Sequence, residues 1–205
     1  MTVRLVIMGA PGSGKGSQGI VLSRQFGIPA VSTGDVFRKH VRDETPLGVV
    51  VRAFIDSGQY VPDSVTNELV RVRLSESDAR CGFVLDGYPR TLSQARELDN
   101  VLAESEKAID AVVYLDTKPD ELVRRLTNRA DLEARSDDDA DTIHRRMAVY
   151  HRETVPVLDL YRARKILVEI DGHGRVDEVS RKITTALLDV TSNAAGHGAE
   201  RTASI

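Results

Sequence analysis

Five short, almost uninterrupted apolar runs punctuate the chain, at 3–8, 28–32, 82–86, 111–115 and 166–170. Runs such as Val112-Val113-Tyr114-Leu115 lack the apolar–polar alternation of a strand with one wet face. They predict strands buried on both sides of a parallel sheet. Between them apolar positions recur at helical spacing, which predicts helices over 14–25, 35–41, 47–57, 63–75, 92–105, 119–129, 139–151, 155–164 and 176–188. Pro119 followed by Asp120 and Glu121 reads as a helix start: the ring fixes φ and the carboxylates favour the positive end of the helix dipole. Strands alternating with helices predict an α/β fold, a doubly wound parallel five-stranded sheet with ligands at the carboxyl ends of its strands. Two places interrupt the alternation. Roughly fifty residues with three predicted helices separate the second and third strands, more than one crossover needs. A short charged loop divides the helices ending near Arg129 and starting near Asp139. Both read as lobes over the strand ends. The stretch 189–205 is small, polar and rich in Gly and Ala, and reads as a disordered tail.

Composition narrows the picture only modestly. A chain of 205 residues suits one domain with a substantial core. A net charge of −3 and a pI near 6.0 carry no electrostatic signature of a nucleic-acid or membrane partner. Arginine far outnumbers lysine among the 28 basic residues; coding bias explains this, and so does oxyanion recognition by bidentate guanidinium groups. Cys81 is the single cysteine, which excludes a disulfide framework and a cysteine-rich zinc site. Standing just before an apolar strand, it reads as a buried, inert thiol. The chain enters its first strand at once and has no run of bilayer length, so a soluble, cytoplasmic setting is expected. His144 and His151, seven apart on a predicted helix, read as surface residues rather than metal ligands.

The chemistry begins after the first apolar run, with Gly9-Ala10-Pro11-Gly12-Ser13-Gly14-Lys15-Gly16-Ser17. Strand, glycine-rich loop and helix in that order wrap backbone N–H groups around a phosphate chain, here with Gly12, Ser13, Gly14, Gly16 and Ser17 in the turn. Lys15 adds a mobile charge at the β/γ end of a nucleoside triphosphate. The position after the lysine is Gly16, where the general rule has a hydroxyl for Mg²⁺, and Ser17 follows one later. A second motif, Gly82-Phe83-Val84-Leu85-Asp86-Gly87-Tyr88-Pro89-Arg90, ends an apolar strand on an acid. Beside a phosphate loop such an acid holds Mg²⁺ directly or through water; alone, it caps a turn.

With these motifs and the segments Ser32-Thr33-Gly34-Asp35, Arg38, Gly58-Gln59-Tyr60-Val61-Pro62-Asp63, Thr91 and Gln94, the chain resembles the adenylate kinases of the nucleoside monophosphate kinase family. Arg125, Arg129, Arg135-Ser136-Asp137-Asp138, Arg146 and Asp171-Gly172 extend the resemblance over about residues 1–188. It implies a core of 1–31, 62–129 and 138–188, an inserted AMP-binding helical lobe at 32–61 and a short, zinc-free lid at 130–137. The implied reaction is reversible phosphoryl transfer between MgATP and AMP, giving two ADP, in a monomer. In that resemblance Lys15, Arg129, Arg135 and Arg146 surround the transferring group, while Arg38 and Arg90 grip the AMP phosphate. Arg125 stacks on the ATP adenine, the backbone of Gly174 touches it, and Asp86 organises Mg²⁺ through water. Thr33, Gln59, Tyr60, Val61, Gly87, Tyr88, Pro89 and Gln94 surround AMP, and Thr33 with Gln94 favours AMP over CMP or UMP.

Several readings stay open. Arg125, Arg129, Arg145 and Arg146 also fit solvated helix faces paired with Glu121 or Asp141. Thr33 also fits a helix N-cap, and Thr91 with Gln94 a capping box that competes with base reading. Asp137 and Asp138 fit either a helix-dipole role or the closed lid. A UMP/CMP-type kinase and a low-turnover nucleotide-binding paralogue are the alternatives. The chain departs from the family at Ala130 and Ala134, where glycine is usual, at Tyr60 for leucine and at Ser17 for threonine.

Overall fold

The computed structural model describes residues 2–133 and 139–200, of which 128–133 and 189–200 are described in backbone only. Five parallel strands form one sheet: β1 (Val3–Gly9), β2 (Ala30–Ser32), β3 (Gly82–Asp86), β4 (Ala111–Asp116) and β5 (Leu167–Asp171), in the order β2-β3-β1-β4-β5. β1 occupies the centre, with Ile7 opposite Asp86 of β3 and Gly9 opposite Leu115 of β4. The order reverses across β1, the switch point at which doubly wound sheets bind ligands. The phosphate loop leaves β1 there, beside the carboxyl end of β3.

Both faces of the sheet are covered. Val6, Leu85, Val112 and Met8 pack with Leu98, Leu102 and Tyr161 on one face. Leu5, Ile7, Val84 and Val113 pack with Leu22, Val179 and Ile183 on the other. Burial on both faces explains why β1, β3 and β4 read as continuous apolar runs. The edge strand β5 instead alternates, with Glu169 exposed, against the expectation for 166–170. β2 is shorter than the predicted 28–32 and begins after Pro29, which has no N–H to give a ladder.

The helices are α1 (Lys15–Phe26), α2 (Thr33–Arg42), α3 (Pro46–Asp56), α4 (Asp63–Ser75), α5 (Leu92–Ala103), α6 (Pro119–Glu133), α7 (Ala140–Val149), α8 (Val155–Ala163) and α9 (Val176–Glu200). α2 and α3 form a small lobe around Phe37, Val51 and Val61. Between α7 and α8 the chain makes one π-helical turn, Tyr150–Thr154. Pro156 lies in the first turn of α8 and lacks the N–H that would continue the regular ladder, so the turn widens there.

One further expectation is corrected. Cys81 is exposed, not buried: it ends a 3-10 turn, Ser77–Cys81, and burial starts one residue later with β3. α9 runs to Glu200. It contains no proline, and its alanines are strong helix formers. Among the described residues no helix is long and apolar enough to cross a membrane.

Candidate active site

The loop after β1 is shaped by its neighbours. Gly12 has φ of 85°, and a Cβ there would stand 2.9 Å from Leu126 Cγ and 3.0 Å from the Leu122 carbonyl, so only glycine lets α6 pack this close. Ser13 is buried, and its N–H donates to Ala10 O at 3.1 Å. Gly14 is the N-cap of α1 and offers no side-chain acceptor. The start of α1 thus has no capping side chain, and a helix N-terminus of this kind favours an external anion through its dipole. Gly16 and Ser17 are exposed in that first turn. Lys15 lies back over the loop, its Nζ donating to Gly9 O and Ala10 O at 2.8 Å each.

Asp86 closes β3 beside this loop. Burial pushes its carboxyl above the usual carboxylate range, opposed by Lys15 and then Arg90. The carboxylate is a hard oxygen donor, and a Cβ on Gly16 would stand 3.6 Å from its Oδ2. Among the described residues no three His, Cys, Asp or Glu side chains gather as a metal cage. A single carboxylate beside a phosphate loop fits a hydrated Mg²⁺ that keeps most of its water ligands.

A cleft runs between the segment following β3 and the small lobe, and Lys15, Arg38, Arg90 and Arg146 all line it. Ser32 caps α2 by accepting from Asp35 N, so Thr33 is not the cap. The buried Thr33 instead donates its hydroxyl to Gly87 O at 2.9 Å. Arg38 pairs with Asp35 at 2.6 Å. Arg90 Nε donates to Gly87 O at 2.8 Å, and Arg90 N donates to Gln94 Oε1 at 2.7 Å. Gln59, Tyr60 and Val61, from the segment joining α3 to α4, line the same cleft, as do Tyr88 and Pro89. Tyr88 is buried and donates its hydroxyl to Asn67 Oδ1 at 2.9 Å.

Only half of the capping box expected at Thr91 and Gln94 forms. Thr91 caps α5 by accepting from Gln94 N at 3.1 Å. The Gln94 side chain, though, reaches Arg90 N rather than the cap residue, and one of its amide hydrogens goes to Asp63 Oδ1 at 2.7 Å. The amide has a second hydrogen, and Gln94 lines the cleft.

Arg125 makes the expected helix-face pair with Glu121 and also reaches the phosphate loop. Its Nε pairs with Glu121 at 2.6 Å, while its other nitrogens donate to Ser13 O at 3.3 Å and Gly172 O at 3.1 Å. It therefore lies across the outer rim of the phosphate loop. Gly174, at φ of 118°, stands in the turn just beyond Gly172. The backbone of Arg129 belongs to α6, and its side chain lies outside the described residues, as do Arg135, Asp137 and Asp138.

Sequence reasoning missed the contacts that α7 and the π turn make with the cleft. Thr142 donates to Asp56 O at 3.4 Å and Arg145 to Ser57 O at 3.1 Å, tying α7 to the end of α3. Tyr150 and Thr154 reach the cleft from the π turn. Asp63 accepts from both Thr91 and Gln94. The contacts of α7 and the π turn join residues far apart in the chain and leave no local pattern; Asp63 alone stood in a recognised segment.

Comparison with known proteins gives the family. The family model described as adenylate kinase matches residues 7–166. The adenylate kinase of Clavibacter michiganensis subsp. michiganensis is 51% identical over 184 residues, covering 90% of this chain and 92% of that protein. Those of a Nocardioides species and of Leifsonia xyli subsp. xyli are 49% and 50% identical over 185 residues each, again 90% of this chain. The chain belongs to the adenylate kinase family and is an ATP:AMP phosphotransferase, moving a phosphoryl group reversibly between adenine nucleotides.

Proposed function

We propose that ATP lies along the loop before α1 and AMP in the cleft beneath the small lobe, so that the two phosphate chains meet end to end. The convergence of Lys15, Arg38, Arg90 and Arg146 on one cleft from four separate segments carries this reading. A monophosphate acceptor has a second pKa of about 6 and arrives already largely ionised. No general base is needed, and catalysis reduces to alignment and charge neutralisation.

In this assignment Arg38 and Arg90 grip the AMP phosphate, and Lys15, Arg129, Arg135 and Arg146 surround the group in transit. Arg125, a flat cation at the rim of the loop, stacks on the ATP adenine, with Gly174 beside it. Thr33 and Gln94 select the adenine of AMP, within a wall made by Gln59, Tyr60, Val61, Gly87, Tyr88 and Pro89. Mg²⁺ bound with ATP neutralises the polyphosphate, and Asp86 would hold it through water. The small lobe is the AMP-binding unit at 32–61, and the segment 130–137 is a short lid without zinc. The working unit is proposed to be a cytoplasmic monomer.

A coupled assay of ADP formation from MgATP with AMP, CMP, UMP or GMP tests the substrate assignment. AMP-selective turnover is expected, and a preference for CMP or UMP overturns it. Lys15→Met is expected to abolish turnover with the fold intact by circular dichroism. ADP production near the wild-type rate would remove the phosphate-site assignment.

A further inference from the structure

Tyr60 makes two contacts that an aliphatic side chain cannot. The Arg90 guanidinium lies over its ring, with Cζ 4.8 Å from the ring centroid, within range of a cation–π attraction. Its hydroxyl lies 2.8 Å from Thr154 Oγ1. Counting hydrogens gives the direction of that bond. Thr154 has one hydroxyl hydrogen and donates it to the Arg90 carbonyl, 2.9 Å away. Tyr60 is therefore the donor and Thr154 the acceptor.

One side chain thus meets Arg90 twice, at the guanidinium through the ring and at the carbonyl through Thr154. Thr154 is buried in the π turn, so this second tie is anchored in the core. Gly87 O and Gln94 Oε1 hold Nε and the backbone N–H of the same arginine. The backbone and the guanidinium plane of Arg90 are fixed from several directions, and Tyr60 supplies the contact on the face of that plane.

We propose that Tyr60 is a positioning residue for the acceptor phosphate, holding Arg90 in the geometry that grips AMP. This rests on the reading of Arg90 as a ligand of the AMP phosphate. A flat cation that must meet a phosphate through two parallel N–H groups loses much of its grip when it can rotate. Tyr60→Leu removes both contacts; Tyr60→Phe keeps the ring and removes only the tie to Thr154.

Steady-state kinetics of the full chain on Tyr60→Phe, Tyr60→Leu, Arg90→Gln and the double variant Tyr60→Leu/Arg90→Gln test the proposal. Tyr60→Leu is expected to raise KM for AMP about 3- to 30-fold, the range of a cation–π contact plus a hydrogen bond. KM for ATP should change less than about twofold, and Tyr60→Phe should give a smaller part of the rise. In the Arg90→Gln background Tyr60→Leu should add less than about twofold, because the group it positions is gone. A role confined to stability would lower Tm and scale activity by the same factor in both backgrounds; that result, or an unchanged KM for AMP, overturns the proposal. If Arg90→Gln itself leaves KM for AMP at the wild-type value, the reading of Arg90 falls, and the proposal with it.

Discussion

Gly58 lies directly against Arg146: a Cβ on the glycine would stand 3.0 Å from Arg146 Cγ and 3.1 Å from Thr142 Cγ2. Its φ of 72° is also one that side chains rarely adopt. Gly58 lies in the small lobe just after α3, while Arg146 comes from α7, after the segment assigned as the lid. The close approach sets where that arginine enters the cleft.

Gly58→Ala is therefore expected to cost about 1–2 kcal/mol from the left-handed backbone alone. Displacement of Arg146 should lower kcat as well. Thermal melting reads the first effect and saturating kinetics the second. A variant with lower Tm and unchanged kcat would show that Arg146 does not depend on this contact.

Thr33 and Gly87 connect the small lobe to β3 through the bond from Thr33 Oγ1 to Gly87 O. Gly87 O also accepts from Arg90 Nε, so Thr33→Ala leaves that carbonyl with one partner. The expected loss is about 1 kcal/mol of stability, that of one hydrogen bond whose acceptor stays satisfied. If Thr33 also selects the base, the ratio of kcat/KM for AMP over CMP should fall. A ratio at the wild-type value would leave Thr33 with a structural role only.

Glu121 gives a pH-dependent test of the donor side. Bonds from Arg124 and then Arg125 lower its pKa from 4.5 to about 2. A carboxyl depressed in the folded state contributes stability above its unfolded pKa, and that contribution is lost as pH falls through the folded value. Glu121→Gln should melt below the wild type at pH 7, with the two converging between pH 4.5 and about 2. Arg125 loses one of its ties in this variant, so KM for ATP should rise while KM for AMP stays put. A Tm difference that is the same at every pH would remove the ion pair as its cause.

Much of this was legible in the sequence because the chemistry is local. The phosphate loop, Asp86 and Arg90 fall at the ends of buried strands, and buried parallel strands announce themselves as apolar runs. The switch point across β1 then brings the two motifs together. What remained hidden joins distant positions. Tyr60 meets Thr154, and Thr142 meets Asp56, across 94 and 86 residues of chain. Thr154 reaches the cleft through a π turn that, in sequence, reads only as a gap between two helices. Cys81 misled because burial in this chain changes over a single residue at the mouth of β3.

Gly16 separates stability from activity at the metal side of the loop. Its backbone is not left-handed, and a Cβ would meet within 4 Å only Asp86 Oδ2, at 3.6 Å, an ordinary contact. Replacing glycine by alanine within a helix gains about 0.5–1 kcal/mol when the site has room. Gly16→Ala is therefore expected to raise Tm of the nucleotide-free protein. The added methyl group, however, stands beside the carboxylate proposed to order the water shell of Mg²⁺. The concentration of Mg²⁺ giving half-maximal rate at fixed ATP should rise, and Asp86→Ala should raise it further. Were Gly16→Ala both more stable and unchanged in its Mg²⁺ dependence, the hydrated ion would have to lie away from Gly16, and the assignment of Asp86 would need revision.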